Sequence, residues 1–348
     1  HYIIDGAQMQ GDLHQEQDAH LVTNLAYGIT TWRDPSIGSR TLFALGEMVE
    51  AGTTIGPRLH GTGDIFIKYD PICCGYPKSL DDARRIVRNQ KLLGATSIKE
   101  HTVPRRDHVQ WIIQASREEG LQVVEDPARG PRRELRPLMD GATSLEHAYS
   151  ALPMKDDVVQ LFARTGTFYV PTLVVNPMES FFVTTMSPHD DAKLRRFQPH
   201  ARIDAELHAH NRMFMPHEVP TWYAEPLKAI VRAGGKVGMG SHGQLQGLGA
   251  HWEMWAMASA GLTPMETLRA ATATAAEVMG MQDDIGSLED GKLADLLVLD
   301  RDPLADLKNT TSIRYVMKAG TLWNAETMDE VWPVTRVRAK GLWEERRD

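Results

Sequence analysis

The feature that most limits what this chain can fold into is a repeated alternation: short runs rich in β-branched and aromatic residues, each followed by a longer run of helical period. Parallel strands need a long, usually helical crossover between them, so this alternation predicts βα units around a parallel sheet. The strand candidates are Tyr27–Arg33, Pro57–Thr62, Ala95–Glu100, Leu121–Asp126, Thr143–His147, Thr167–Val175 and Lys236–His242. Helix starts are legible too. Ser79 with Asp82 opens the run DDARRIVRNQKLL, and Thr263-Pro264 with Glu266 predicts a capping box ahead of METLRAATATAAEVMGM. Gly94, Gly120, Gly166 and Gly234-Gly235 stand just before strand candidates, where a helix C-cap takes positive φ.

The rhythm breaks between about Asn176 and Pro220, a stretch rich in Met, Phe, Pro and His. It reads as a long loop or helical excursion over the mouth of the sheet, either a substrate lid or a packing insertion. After Gly291 come short strand runs, ADLLVLD at 294–300 and SIRYVMKAG at 312–320 with TLW behind, which predict part of a small β-sheet domain. The tail RVRAKGLWEERRD reads as a solvated end.

With 348 residues, 42% hydrophobic and 24% charged, the chain has enough apolar material for a sizeable core. Lys and Arg number 38 against 46 Asp and Glu, a net charge of −8, which offers no basic footprint for nucleic acid. No apolar run reaches the roughly 18–20 residues that a bilayer span requires, so no membrane partner is expected. The chain starts at His1 rather than Met, which suggests a processed or truncated product and leaves localisation unread. Cys73 and Cys74 are adjacent, a spacing that suits neither a disulfide nor a zinc motif; they read as core or loop thiols. Neither a GxSxG elbow nor a P-loop occurs, so serine-hydrolase and NTPase readings lack support.

A parallel barrel gathers the C-terminal ends of its strands around one opening, so polar residues at those ends are the informative ones. Lys99 ends ATSIKEH, Asp126 ends LQVVED, His147 ends TSLEH and His242 ends VGMGSH. A buried lysine has to be paired or chemically converted. Carboxylation would make Lys99 an anionic oxygen ligand; a salt bridge to Glu100 or a neighbouring acid is the plainer alternative. Two imidazoles and a carboxylate make a coordination set for zinc or a similar divalent ion. His251 and Glu253 in GLGAHWEMW are placed to reach a substrate. His208 and His210 have ligand spacing but lie in a charged, strand-poor stretch and read as surface.

The blocks NLAYGITTWRDP (24–35), GATSIK (94–99), GATSLEH (141–147), YVPTLV (169–174), and the run from LTPMETLRAATATAAEVMGM through IGSLEDGKLADLLVLDRDPL resemble the amidohydrolase superfamily. The likeness is to its imidazolonepropionase- and prolidase-like branch, similar to members fused to an N-terminal β-propeller. It implies an α/β fold, a (β/α)8 TIM-like barrel over residues 1–290 lacking its first strand, and a partial composite β-sandwich with a tail over residues 291–348. It further implies a metal-dependent hydrolase of amide or cyclic amide C–N bonds using one or two divalent ions, zinc foremost, with a small-molecule or short peptide-like substrate. Carried over by position, Lys99 is the carboxylated lysine and His147 a ligand. His1 would be the second histidine of an HxH pair whose first member precedes the chain. Asp126 stands where the family has a histidine, and His242 where it has an aspartate base; both keep ligand character. His242 would then handle the water's proton, with His251 meeting the substrate. Two alternatives stay open: a catalytically impaired amidohydrolase-like scaffold, and a metal-using barrel of another lineage such as a phosphotriesterase-like lactonase. Self-association is also left open.

Overall fold

The computed structural model describes residues 16–35, 39–67, 76–126, 130–175, 177–201, 203–204, 224–242, 245–341 and 344. His1, Cys73, Cys74, His208 and His210 lie outside the described residues.

Helix and strand alternate through the first part: α1 (Glu16–Ala26), β1 (Thr31–Asp34), α2 (Ser39–Glu50), β2 (Arg58–Gly61), β3 (Phe66–Ile67), α3 (Leu80–Leu92), β4 (Ser97–His101) and α4 (Arg106–Glu118). The same order continues with β5 (Gln122–Asp126), α5 (Pro131–Asp140), β6 (Ser144–Glu146), α6 (Asp156–Thr165) and β7 (Phe168–Val170). Local chemistry explains the helix ends. The Ser79 hydroxyl accepts from the Asp82 backbone N–H at 3.2 Å and caps α3. Helix α6 stops at Gly166, whose left-handed φ of 70° would strain any side chain. In α4 the buried face is Val109, Ile112, Ile113 and Ser116, one stripe of an amphipathic helix.

Strands β3 to β7 form one parallel sheet in sequence order, and β1 pairs with β2 in a second, two-stranded parallel sheet. Thr96 N donates to Gly61 O at 3.0 Å, so the two sheets continue one arc. The expected strand at Lys236–His242 is reduced to isolated bridge positions, Val237, which pairs in parallel with Tyr169, and His242. Its outer side faces no further ladder among the described residues, and two of its residues, Gly238 and Gly240, lack side chains to pack. The described strands therefore form an open arc, and no closed barrel is found among them. A cavity of about 480 Å3 occupies the opening, lined by β1 residues such as Trp32 and Arg33 on one side and Met239–Ser241 on the other.

The excursion after β7 is helical where described: α7 (Pro177–Met186), a 3-10 turn (Pro188–Asp190) and α8 (Ala192–Phe197). Phe182 stacks on Trp252 at 5.5 Å, and Phe197 joins Val22, Leu25, Val316 and Trp323 in a buried cluster. These contacts fit a packing insertion. Helices α9 (Glu225–Arg232), α10 (Leu248–Ser259), α11 (Pro264–Ala271) and α12 (Ala273–Met279) follow. Both halves of the Thr263–Glu266 capping box form. The largest buried cluster includes Phe162, Tyr169, Leu227, Ile230 and Trp252, which joins α6, β7, α9 and α10.

A separate antiparallel sheet is built from β8 (Leu296–Leu299), β9 (Ile313–Lys318), β10 (Thr321–Asn324) and β11 (Glu330–Trp332), in spatial order β11-β10-β9-β8. It is fastened to the arc by Arg58, whose guanidinium forks onto Asp295 at 2.5 and 2.8 Å. At Gly28, with φ 84°, a Cβ would stand 2.7 Å from Leu297, so the absence of a side chain lets the sheet approach. No described helix is long and apolar enough to cross a membrane.

Candidate active site

Parallel register decides which strand-end side chains meet. His101 lies beside Asp126 and Glu100 beside Glu125, and side chains alternate faces along a strand. Lys99, His101 and Asp126 therefore share one face, while Glu100 and Glu125 share the other.

On the first face Asp126 is the hub. Its Oδ2 lies 2.9 Å from Lys99 Nζ, 3.3 Å from His147 Nε2 and 3.5 Å from His101 Nε2. Burial opposes ionisation of Asp126, but the Lys99 charge and the His147 hydrogen bond outweigh it and hold the carboxyl well below the usual carboxylate range. Burial also lowers the pKa of His101, with Asp126 pulling the other way. The His147 ring is held from behind by Thr172 Oγ1, 2.7 Å from its Nδ1, and lies 5.2 Å from the His242 ring. Lys99 is only 2% exposed, and its ion pair with Asp126 satisfies the requirement that a buried ammonium be partnered.

Four non-glycine residues just past the strand ends have left-handed backbone: Thr102, His147, Thr172 and His242 with φ of 56°, 69°, 47° and 62°. Such conformations cost of order 1–3 kcal/mol each and persist only where the surroundings enforce them. The enforcing contacts are visible. Thr102 N donates to Asp126 O at 3.0 Å, and His147 N to Val170 O at 2.9 Å. Buried Glu253 accepts the backbone N–H groups of Leu173 and Val174 at 2.8 and 2.9 Å, fixing the turn that carries Thr172. Burial raises the Glu253 pKa to about 7 despite those two donors.

Behind the hub, on the opposite face, Glu100 and Glu125 are both buried. Desolvation pushes Glu100 up to about 7, and burial together with the Glu100 charge drives Glu125 well above the carboxylate range. Val103 N donates to Glu100 Oε1. Across the arc, Arg33 of β1 reaches Glu146 of β6 at 3.2 Å, and Glu146 also accepts from Ser144 Oγ at 2.8 Å.

Of the residues singled out in the sequence, Lys99, Asp126 and His147 are brought together and His242 adjoins them; His1 lies outside the described residues. His251, expected at the substrate, is placed differently. It is 3% exposed, its Nδ1 is 2.9 Å from Thr310 Oγ1 and its Nε2 3.0 Å from Tyr27 O, so both nitrogens are engaged within the protein. Burial lowers its pKa to about 4. It borders the 480 Å3 cavity, which none of Lys99, Asp126, His147 or His242 lines. Glu253 likewise braces backbone instead of facing a substrate. The sequence reading missed His101, Thr172 and the Arg33–Glu146 pair. His101 could have been found from the i, i+2 step after Lys99; Thr172 and Arg33–Glu146 depend on contacts between distant elements.

Lysine, carboxylate and imidazole at parallel strand ends are chemically suited to a divalent ion. As placed, however, no three His, Cys, Asp or Glu ligand atoms at the strand ends lie mutually within 4.8 Å among the described residues.

Comparison with known proteins agrees with this architecture. Ochratoxinase from Aspergillus niger is 28% identical over 310 residues, covering 82% of this chain and 57% of that protein, so the chain spans little more than half of that relative's length. The crystal structure of a Xaa-Pro dipeptidase with bound methionine in the active site superposes with a TM-score of 0.67 at 20% identity, over 93% of this chain and 83% of the other. A putative prolidase from Bifidobacterium longum gives a TM-score of 0.67 at 22% identity, over 93% and 79%. These two likenesses speak to the fold. The model of the amidohydrolase family matches residues 12–323, and the chain belongs to that family.

Proposed function

We propose that the chain is the metal-dependent hydrolytic unit of an enzyme that cleaves amide C–N bonds in a small-molecule or peptide-like substrate. One observation carries the reading: the buried Lys99 of β4, His101 on the same strand and His147 at the end of β6 converge on a single carboxylate oxygen of Asp126, which ends β5 between them at the C-terminal rim of a parallel sheet. Membership of the amidohydrolase family supports it. So do relatives named for action on ochratoxin and on Xaa-Pro dipeptides.

Lys99, Asp126 and His147 would hold the ion, with His101 and His242 beside them. A zinc-like ion, when bound, supplies Lewis-acid polarisation of the carbonyl and lowers the pKa of a coordinated water to about 7. The chain's own groups do the rest. Thr172 orients His147 and sets which ring nitrogen faces Asp126. His242, beside His147, takes the proton of the attacking water and returns it to the leaving nitrogen. Carboxylation of Lys99 adds carbon dioxide to its neutral amine and releases one proton; it exchanges the Lys99–Asp126 attraction for a repulsion that a cation between them would offset. His251 is left out of this chemistry because both its nitrogens are engaged.

The test is a panel of N-acyl amino acids, Xaa-Pro dipeptides, cyclic amides, lactones and phosphoesters, with metal content measured on the same samples. Amide hydrolysis that chelation removes, that zinc restores and that Asp126→Asn reduces at least about a hundredfold is the expected result. Undiminished turnover in the chelated protein would sink the proposal. A scaffold without turnover is the second reading, favoured by the Lys99–Asp126 pair being already satisfied and by the spread of the strand-end donors. Less than about half an equivalent of metal at the strand ends, with no hydrolysis of any panel member, would establish it.

A further inference from the structure

A second group of donors lies in the helical excursion and shares no residue with the strand-end cluster. His189 Nε2 is 3.0 Å from Asp204 Oδ1, and His200 Nδ1 is 3.0 Å from Asp204 Oδ2. The two imidazoles stack, with ring centres 5.1 Å apart and planes inclined by 27°. All three ligand atoms lie within 4.8 Å of one another, the only such trio of His, Cys, Asp or Glu among the described residues.

We propose that His189, His200 and Asp204 form a binding site for a borderline divalent transition ion of the zinc class. Two nitrogens and one carboxylate oxygen are the donor types such an ion prefers, and a fourth position would be open to solvent. The spacing is within reach of coordination. Donors at about 2.0–2.1 Å from a tetrahedral ion stand roughly 3.3 Å apart. The edge from one imidazole to its own Asp204 oxygen, now 3.0 Å, opens by a few tenths of an ångström, while the other imidazole, which faces the second carboxylate oxygen, shifts toward the shared one. The two histidine nitrogens then draw in toward a shared centre, and each ring carries its proton on the other nitrogen, Nδ1 in His189 and Nε2 in His200.

The donors stand on anchored backbone. His200 and Asp204 are one helical turn apart, on a segment whose Ile203 is fully buried in the main core. His189 follows buried Pro188 in the 3-10 turn, and the next helix, α8, is capped by Asp191 and buries Leu194 and Phe197. Ligands thus flank α8 on both sides, and an ion here would clip its two ends together. As bare imidazole–carboxylate contacts at the surface these groups add little to stability, so coordination is the stronger interaction open to them. The site is structural in kind, and it stands independently of the hydrolytic reading.

Zinc is titrated into chelator-stripped protein against a chromophoric competitor, with Asp126→Asn protein used to remove the strand-end contribution. In that background about one equivalent should remain bound. His189→Ala, His200→Ala or Asp204→Asn should then weaken it at least tenfold, an order taken from losses at outer-shell positions. His200 is 72% exposed, so His200→Ala is expected to fold; a circular dichroism spectrum and thermal melt matching its parent verify this. As a second readout, the copper(II) spectrum of the Asp126→Asn protein should lose nitrogen coupling in His200→Ala. Zinc should also slow proteolytic cleavage between residues 187 and 204 in the parent only. Retention of zinc with unchanged affinity in all three variants would overturn the site, as would the absence of zinc binding in the Asp126→Asn protein.

Discussion

At the scale of single residues, the candidate site depends on support at a distance. Asp126 is an effective hub because Lys99 and His147 counter the cost of burying its charge. Thr172 does for His147 what an outer partner does for a metal-ligating imidazole: it fixes the orientation of the ring, with Nδ1 on the hydroxyl and Nε2 toward Asp126. Thr172→Val keeps the shape but deletes the hydroxyl, so amide hydrolysis should fall about 10- to 100-fold. The loss should appear in kcat and in metal affinity, read by steady-state kinetics and chelator competition, with little change in melting temperature. Lys99, Asp126 and His147 were legible in the sequence because a strand-end position is a local property. Thr172 was not, because only its left-handed turn, held by Glu253 some 80 residues on, aims it at His147.

At the scale of elements, the histidine on α10 is an instructive case. His251 ties α10 to the backbone of Tyr27 and to Thr310 near the antiparallel sheet. Its pKa falls from the ordinary value of 6.5 to about 4 because burial disfavours the charged ring. Between those two values the unfolded chain binds more protons than the folded one, so this residue's contribution to stability is full above pH 6.5 and is lost as pH falls toward about 4. Urea unfolding at pH 7.5 and pH 5 should show a smaller pH-dependent loss for His251→Gln than for the parent, although the variant is less stable at the higher pH. The Arg58–Asp295 fork joins β2 to the antiparallel sheet, and Asp295 also accepts from Ala319 N at 2.9 Å. Asp295→Ala strands a largely buried guanidinium and should cost about 3–5 kcal/mol in denaturant unfolding. Helix caps and strand runs were readable from the sequence because they are set by neighbours a few positions away. The shrinkage of the Lys236–His242 run to isolated bridges was not, because a strand lasts only as long as its partners do.

At the scale of the whole molecule, a parallel arc, a helical excursion and an antiparallel sheet share buried clusters: Val22 and Leu25 of α1 and Phe197 of α8 pack with Val316 and Trp323 of the sheet. Ligand that binds only the folded state stabilises by mass action. Zinc added to chelator-stripped protein should therefore raise the melting temperature, and a rise that survives when His189→Ala and His200→Ala are combined reports the strand-end cluster. No rise in that variant would mean that the strand ends hold no ion. The cavity between β1 and Met239–Ser241 is a property of this scale only, since its walls come from opposite ends of the arc.

The order of strands and helices, the caps and the polar residues at the strand ends were determined by the sequence alone, because periodicity and turn chemistry act over a few residues. Tertiary structure decided which of those polar residues share an oxygen, which are sealed into packing as His251 is, and that His189 and His200 close on Asp204. Parallel register and the path of the connecting helices set those distances, and neither is encoded in any short stretch of chain.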